Sequence, residues 1–342
     1  MNEPFLSICI PSYNRPDTLY RLLKSIDTQY LDQIEIVICE DKSPKRTEIR
    51  EAVESYSKQS AYQVHYFENE KNLGFDQNWI ELSKRATGEF LLYMGDDDGF
   101  IPGALDHYIE WLHSNKRYCY ILRSYVRVYG EDRSNIQYFR YYSSDKFFEP
   151  GVEGYKEFFL KSVSMSGYTI KRSCALEFSN EKILEGNTLL FQLYLLAEVC
   201  LKYPSAYCNT PCAELISDQP QLFGNSKDEK GVYTPGEGVS GNLNFINSYF
   251  RITEFIDKKH SLNLTSYFKT QMSKYSFYIL YGQRIKSKEN LRLMKKQLED
   301  IGLGDSLQFK IYYWSLLILG PSICVKTILF LKKIIGHRPS FK

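Results

Sequence analysis

Between residues 5 and 122, short apolar runs rich in β-branched residues alternate with stretches of helical spacing. The runs Phe5 to Ile10, Ile34 to Cys39, Tyr62 to Phe67, Phe90 to Met94 and Tyr118 to Leu122 each have the length of a buried strand. After Asn14 as N-cap and Pro16 in the first turn, Leu19, Leu22, Leu23 and Ile26 fall on one helical face. Further helices are predicted over Arg46 to Lys58, over Asp76 to Ala86 with Trp79, Ile80 and Leu82 inward, and after Pro102 with Leu105, Ile109 and Leu112 inward. This alternation specifies an α/β fold with a mostly parallel sheet and helices on both faces. A chain of 342 residues, 43% of them hydrophobic, can build the core this requires.

In such sheets ligands bind beyond the carboxyl ends of the strands. The unusual residues of this chain lie there: Pro11 to Arg15 after the first run, Glu40 to Ser43 after the second, Asn69 to Gly74 after the third, and Gly95 to Gly99 after the fourth. Each alone reads as a turn, since Asn, Asp, Gly, Pro and Ser are turn formers. Four at one rim, one of them with the consecutive carboxylates Asp96, Asp97 and Asp98, point to a site. Hard cations such as Mg²⁺ or Mn²⁺ take one or two carboxylates and complete their shell with phosphate oxygens and water, which an acidic loop of this kind can offer.

Other ligand classes are disfavoured. The EF-hand pattern fails because Phe100 and Ile101 stand where a ligand and a glycine are needed. Pro11 to Arg15 contains no glycine, so neither a Walker loop nor a dinucleotide fingerprint follows the first strand. With 43 Lys plus Arg against 41 Asp plus Glu, the net charge of +2 gives no general pull toward nucleic acid. Cys208 and Cys212 have no second pair or nearby His to make a metal site, and the eight scattered cysteines read as reduced core thiols, which favours a cytosolic compartment. The opening MNEPFLSICIPSYNR lacks a basic leader and reads as a strand rather than a signal peptide.

The stretches SICIPSYNRPDTLYRLLKSI, VICEDKS, NEKNLGFDQNW and LLYMGDDDGFIPGAL resemble, in order and spacing, the signatures of the family 2 inverting glycosyltransferases with the GT-A fold, of the type that builds bacterial O-antigen and capsule. The resemblance is strong over residues 5 to about 115 and continues weakly to about 215.

It implies a nucleotide-diphosphate sugar donor, with Pro11, Ser12, Tyr13, Asn14 and Arg15 lining the base, Tyr13 packing against it and Asp41 accepting hydrogen bonds from it. Lys71, Asn72 and Gly74 would lie near base and diphosphate. The family's acidic motif reads Asp-x-Asp-Asp with a proline four residues after the last Asp; Pro102 sets that register here. Asp97 then takes the metal position and Gly95 replaces the first Asp, leaving Asp96 as substitute ribose or metal contact and Asp98 as a second metal or sugar contact. A Mn²⁺ or Mg²⁺ ion bridging the phosphates would stabilise the charge developing on the leaving group.

Inversion needs a general base for the acceptor hydroxyl. In the family this is an Asp within a later Glu-Asp motif; the matching stretch here is LEGNTLLFQLYLLAEV, with Gly186 at the Asp position. Glu185 is the nearest carboxylate and the candidate; a solvated helix-terminal carboxylate is the structural alternative, and Glu181 and Glu198 are fallbacks.

The predicted domains are a donor-binding and catalytic domain over 1–215, a lid or linker over 216–242 rich in Gly, Pro, Ser and charge, and a helical region over 243–342. Helices are predicted over Leu243 to Asp257, Leu264 to Ile285 and Lys288 to Ile301. The apolar stretch Ile311 to Leu331 approaches a membrane span in length, but Gly320-Pro321 interrupts it and Lys326 lies inside. It reads as two amphipathic helices, with Tyr312, Tyr313 and Trp314 at headgroup depth and Lys326, Lys332, Lys333, His337 and Arg338 toward anionic lipid; a core helix pair or a dimer interface is the alternative. Peripheral contact with the cytoplasmic face of the inner membrane would bring a polyprenyl-diphosphate-linked glycan acceptor within reach. Two other classes remain: a sugar nucleotidyltransferase, which would need a Gly-rich, basic first loop, and a non-catalytic nucleotide- or glycan-binding relative, to which Gly95 and Gly186 both point.

Overall fold

The structure is a computed structural model that describes residues 3–130, 133, 135–179, 188–217 and 238–335, and their side chains except at 238–242, 329 and 331–335. Two compact units divide the chain at 228/229.

In the first unit the chain runs β1 (Leu6–Ser12), α1 (Pro16–Ser25), β2 (Ile34–Glu40), α2 (Arg46–Ser57), β3 (Gln63–Glu68), α3 (Phe75–Arg85), β4 (Phe90–Tyr93), β5 (Gly99–Phe100), α4 (Ala104–Ser114), β6 (Tyr120–Tyr129), β7 (Asn135–Phe139), β8 (Lys146–Phe148), α5 (Val152–Phe158), β9 (Tyr168–Lys171), α6 (Arg172–Glu177), α7 (Phe191–Lys202) and β10 (Ser205–Ile216). Among the described residues these strands make one sheet in the order β3-β2-β1-β4-β9-β6-β10-β5, with β7 on β6 and β8 on β10. The β3-β2-β1-β4 half is parallel, as the alternation predicts. Beyond it the sheet is mixed, because the four-residue β9 runs antiparallel to both β4 and β6. Neither β9 nor β10 has a clean apolar run; the register of β10 slips between Cys208 and Ala213, where Pro211 interrupts the ladder.

Strand alternation sorts the two faces. Leu6, Ile8, Ile10, Ile34, Ile36, Ile38, Phe90 and Leu92 share one core with Leu19 and Leu22 of α1, Ile49 and Val53 of α2, and Leu105 and Ile109 of α4. On the opposite face Tyr93 stacks on Trp79 of α3 at 3.8 Å between ring centroids and hydrogen-bonds Ser83. The N-cap of α1 falls one residue later than the sequence suggests. Arg15 occupies it, while Asn14 takes a left-handed conformation (φ 63°), one that Asn tolerates better than most residues.

The second unit contains α8 (Gly238–His260), α9 (Thr265–Ser273), α10 (Phe277–Arg284), α11 (Lys288–Asp300), α12 (Leu307–Ile318) and α13 (Pro321–Ile335). The single helix expected over Leu264 to Ile285 is two, α9 and α10. The apolar tail breaks at Gly320 (φ 81°), which takes the left-handed end position that ends α12 before Pro321 starts α13. No helix among the described residues is long and apolar enough to cross a membrane. Tyr313, expected at headgroup depth, instead packs inward with Phe309 and Leu316, and Lys295 lies over its ring. Trp314, one residue on, is 54% exposed.

Candidate functional site

The loops after β1, β2, β3 and β4 meet at the carboxyl rim, because register aligns Ser12 with Glu40 and Glu40 with Glu68. After β1, the Tyr13 amide donates to Asp96 Oδ2 at 3.1 Å, and Arg15 Nη1 lies 3.1 Å from Asp96 Oδ1 and 2.8 Å from Asp97 Oδ2. Arg21 Nη2 donates to the Asp97 carbonyl at 2.5 Å. Pro11 and Ser12 close β1, and Tyr13 and Asn14 are half-buried on the turn that carries Arg15.

Asp41 ties the second loop to the third. Its Oδ1 accepts from Asn69 Nδ2 and the Leu73 amide, its Oδ2 from the Gly74 amide at 2.9 Å, and its carbonyl accepts from Asn72 Nδ2. Gly74 has φ 77°, a conformation that lets the turn deliver its amide and start α3. Lys71 is exposed on the same loop.

Two residues anchor this region in roles the sequence did not assign. Glu40, fully buried, accepts from the amides of Lys42 and Ser43 and from Arg46 Nε, and Arg46 Nη2 donates to the Asn69 carbonyl at 2.6 Å. Asn78 joins Asn69 to the Cys39 carbonyl.

The acidic loop divides. Asp96 and Asp97 converge on Arg15, whereas Asp98 turns away: Ser166 Oγ donates to its Oδ2 and the Ile216 amide to its Oδ1. Ser166 also accepts from the Gly95 amide at 2.9 Å, and Arg123, 1% exposed, holds the Ser166 carbonyl through Nε. Nothing in the sequence marked Ser166. Arg123 was visible as a lone charge in the apolar run YILRSYV. The geometry also accounts for Gly95: a Cβ there would lie 3.0 Å from Asp97 Oδ1 and 3.2 Å from Ser166 Oγ.

Burial raises the Asp96 carboxyl to about 6; Arg15 opposes and Asp97 reinforces this. Burial and the neighbouring Asp97 charge raise Asp98 to about 7, against the Ser166 and Ile216 hydrogen bonds.

No three His, Cys, Asp or Glu side chains among the described residues form a closed metal cage. Asp96 and Asp97 nevertheless offer two carboxylates that already share one cationic group. They fit an ion that takes one or two carboxylates and finds its remaining oxygens on a diphosphate. Glu185, Glu181 and Gly186 lie outside the described residues, as does most of 216–242. Glu198 is 1% exposed within α7.

A parallel βα unit with polar loops at its strand ends, an acidic turn after β4 and a mixed extension is the GT-A fold. Solved structures share it over most of the chain: Staphylococcus aureus TarS with UDP (TM-score 0.51, 15% identity, covering 91% of this chain and 90% of that one) and the Pyrobaculum calidifontis mannosyltransferase PcManGT with GDP-Man and Mn²⁺ (TM-score 0.51, 12% identity, 95% and 81%). Residues 7–171 match the family model "Glycosyl transferase family 2", and over that span the chain carries a family 2 glycosyltransferase domain. Curated relatives include the Salmonella typhimurium abequosyltransferase RfbV, 30% identical over 29% of this chain and 30% of its own, and the Campylobacter jejuni GalNAc(5)-diNAcBac-PP-undecaprenol beta-1,3-glucosyltransferase, 30% identical over 34% and 37%. The chain spans about a third of the length of the curated relatives it matches.

Proposed function

We propose that this chain is a metal-dependent inverting glycosyltransferase that moves one sugar from a nucleotide-diphosphate sugar to a polyprenyl-diphosphate-linked oligosaccharide during assembly of a bacterial surface polysaccharide. The observation that carries this reading is the convergence of Asp96 and Asp97 on one cationic group at the carboxyl rim of a family 2 domain. One relative named for glucose transfer to an undecaprenyl-linked glycan, and fold neighbours solved with UDP and with GDP-Man and Mn²⁺, support it.

On this reading Asp97, with Asp96, holds Mn²⁺ or Mg²⁺, which supplies positive charge to the departing diphosphate. Pro11 to Arg15, Lys71, Asn72 and Gly74 form the donor pocket. Asp41 acts there chiefly by fixing the third loop, since its carboxylate already accepts from two backbone amides of that loop. Glu185 takes the proton of the acceptor hydroxyl.

The second unit would work against the cytoplasmic face of the inner membrane. On α12, Leu307, Ile311, Trp314 and Ile318 form an exposed stripe at helical spacing, with Lys310 exposed beside it. Leu319, Ile323, Lys326 and Phe330 are exposed after the break.

The test is a thermal-shift screen of UDP, GDP, CDP and dTDP, each with and without Mn²⁺, on the wild type and on Asp97→Ala. One nucleotide should raise the melting temperature, more so with metal, and the metal increment should vanish in the variant. A screen with no metal-dependent shift would overturn the reading.

A further inference from the structure

One hydroxyl latches the acidic turn from behind. Gly95 and Asp98 are the ends of a β-turn, closed by the Asp98 amide donating to the Gly95 carbonyl at 3.1 Å. Ser166, 0% exposed, bridges the same two residues: its Oγ accepts from the Gly95 amide at 2.9 Å and donates to Asp98 Oδ2. The other Asp98 oxygen accepts from the Ile216 amide at 2.9 Å, at the end of β10. Asp96 and Asp97 are the two middle residues of this turn, so what fixes its ends also fixes where their carboxylates stand. Arg15 grips those carboxylates from the loop after β1, whereas Ser166 holds the turn's ends from the chain before β9.

The segment that carries Ser166 is itself fastened on several sides. Arg123, 1% exposed, donates through Nε to the Ser166 carbonyl at 2.7 Å and through Nη2 to the Ser164 carbonyl at 3.3 Å, and its guanidinium lies 5.1 Å from the centre of the Tyr125 ring. The Gly167 amide donates to the Tyr93 carbonyl at 2.8 Å, at the end of β4. Gly167 has φ 82°, and a Cβ there would lie 2.9 Å from Arg123 Cγ, so glycine lets the arginine stem pass. Gln192 Nε2 donates to the Val163 carbonyl, and the Tyr168 hydroxyl to the Gln192 carbonyl, each at 2.8 Å. Gln192 lies in the first turn of α7, where Leu190 at the N-cap position offers no side-chain acceptor. Asp76 of α3, 2% exposed, serves instead: its Oδ2 accepts from the Thr188 and Leu189 amides at 2.7 and 3.1 Å, and its Oδ1 from the Phe191 amide at 3.2 Å. One carboxylate thus caps α7 in trans. Burying a guanidinium and a carboxylate is costly, and here both help to hold the chain around Ser166 in place.

We propose that Ser166 is a positioning residue for the acidic turn: by bridging Gly95 and Asp98 it sets the carboxylates of Asp97 and Asp96 where a divalent ion and a diphosphate can use them. The inference rests on the function proposed above, in which those two residues hold the ion. Ser166→Ala leaves the Gly95 amide without that acceptor and Asp98 Oδ2 without that donor, so repulsion among three adjacent carboxylates is no longer opposed from behind. Groups that orient metal ligands without touching the metal govern about 10- to 100-fold of its affinity.

The test uses the full chain and the nucleoside diphosphate that the thermal-shift screen selects. Its binding is measured by calorimetry over a series of Mn²⁺ concentrations, and the readout is the Mn²⁺ concentration that gives half of the full tightening. For Ser166→Ala we expect that concentration to rise about 10- to 100-fold, with metal-free nucleotide affinity within about twofold of wild type and faster amide exchange at 95–98 but not in α2. Asp98→Asn, isosteric and still able to accept from Ile216, keeps the fold if Ser166→Ala does not, and should shift the Mn²⁺ requirement about tenfold. The double variant should be no more than about twofold worse than the weaker single variant, because both act through one contact. A wild-type Mn²⁺ requirement in either single variant, or losses that multiply in the double variant, would overturn the inference alone. Equal losses of metal-free nucleotide affinity and Mn²⁺ response would also overturn it, marking Ser166 as a general support of the fold. A wild type whose nucleotide binding Mn²⁺ does not tighten would defeat the proposed function and this inference with it.

Discussion

Arg15 Nη1 sits 2.8 Å from Asp97 Oδ2 while also meeting Asp96, so one guanidinium neutralises the acidic turn from the loop after β1. Removing it leaves two carboxylates facing each other with little water. Arg15→Gln should cost about 2 kcal/mol of stability at pH 7.5 and less at pH 5, where Asp96, raised to about 6, is largely protonated. Urea unfolding at the two pH values checks this; equal losses would contradict the pairing.

The raised carboxyls also set a pH trend. Asp98 goes from 3.8 unfolded to about 7 folded, so the folded state holds its proton more tightly. The associated stabilisation is full below about pH 4 and disappears as pH rises through about 7. The stability of Asp98→Asn relative to wild type should therefore increase between pH 5 and 8, read from chemical denaturation in metal-free buffer.

Restoring the family's first aspartate should harm this chain. Gly95→Asp places a Cβ 3.0 Å from Asp97 Oδ1 and adds a carboxylate to a crowded turn. Gly95→Ala should cost about 1–3 kcal/mol, Gly95→Asp more, with no gain in Mn²⁺ affinity by calorimetry.

Glu40 anchors the second loop from a fully buried position and is paired with Arg46. Glu40→Ala leaves Arg46 Nε and two amides without their acceptor, and should lower stability by about 3–5 kcal/mol in guanidinium chloride titration.

Trp314 and Ile318 are exposed, so Trp314→Glu with Ile318→Glu should change the melting temperature by less than about 2 °C. The double variant should lose sedimentation with vesicles rich in phosphatidylglycerol. Undiminished sedimentation would remove α12 from the proposed membrane contact.

The parallel half of the sheet was legible because each of its strands is an apolar run bounded by turn residues, and helices such as α1 and α4 bury the residues their spacing indicates. The second half was less so: β9 has four residues, and β10 is broken by Pro211. For the site, the sequence located the rim and the acidic cluster, since those depend on local residue type. It could not reveal that Asp98 faces Ser166, that Asp41 is engaged by the loop after β3, or that Asp76 serves α7. Those pairings join residues 68, 32 and 112 positions apart, and only the fold brings them together.

The trans cap on α7 also bears on how the chain reaches its native state. Helix α7 buries every residue from Phe191 to Cys200, and its Phe191 amide is satisfied by a side chain 115 residues upstream. Its start thus depends on closing a long loop rather than on local nucleation, which is the slow kind of step in folding. The native first turn of α7 is complete only when the Asp76 carboxylate of α3 is in place. Variants at Asp76 should therefore slow refolding, as read from stopped-flow rates in dilute denaturant.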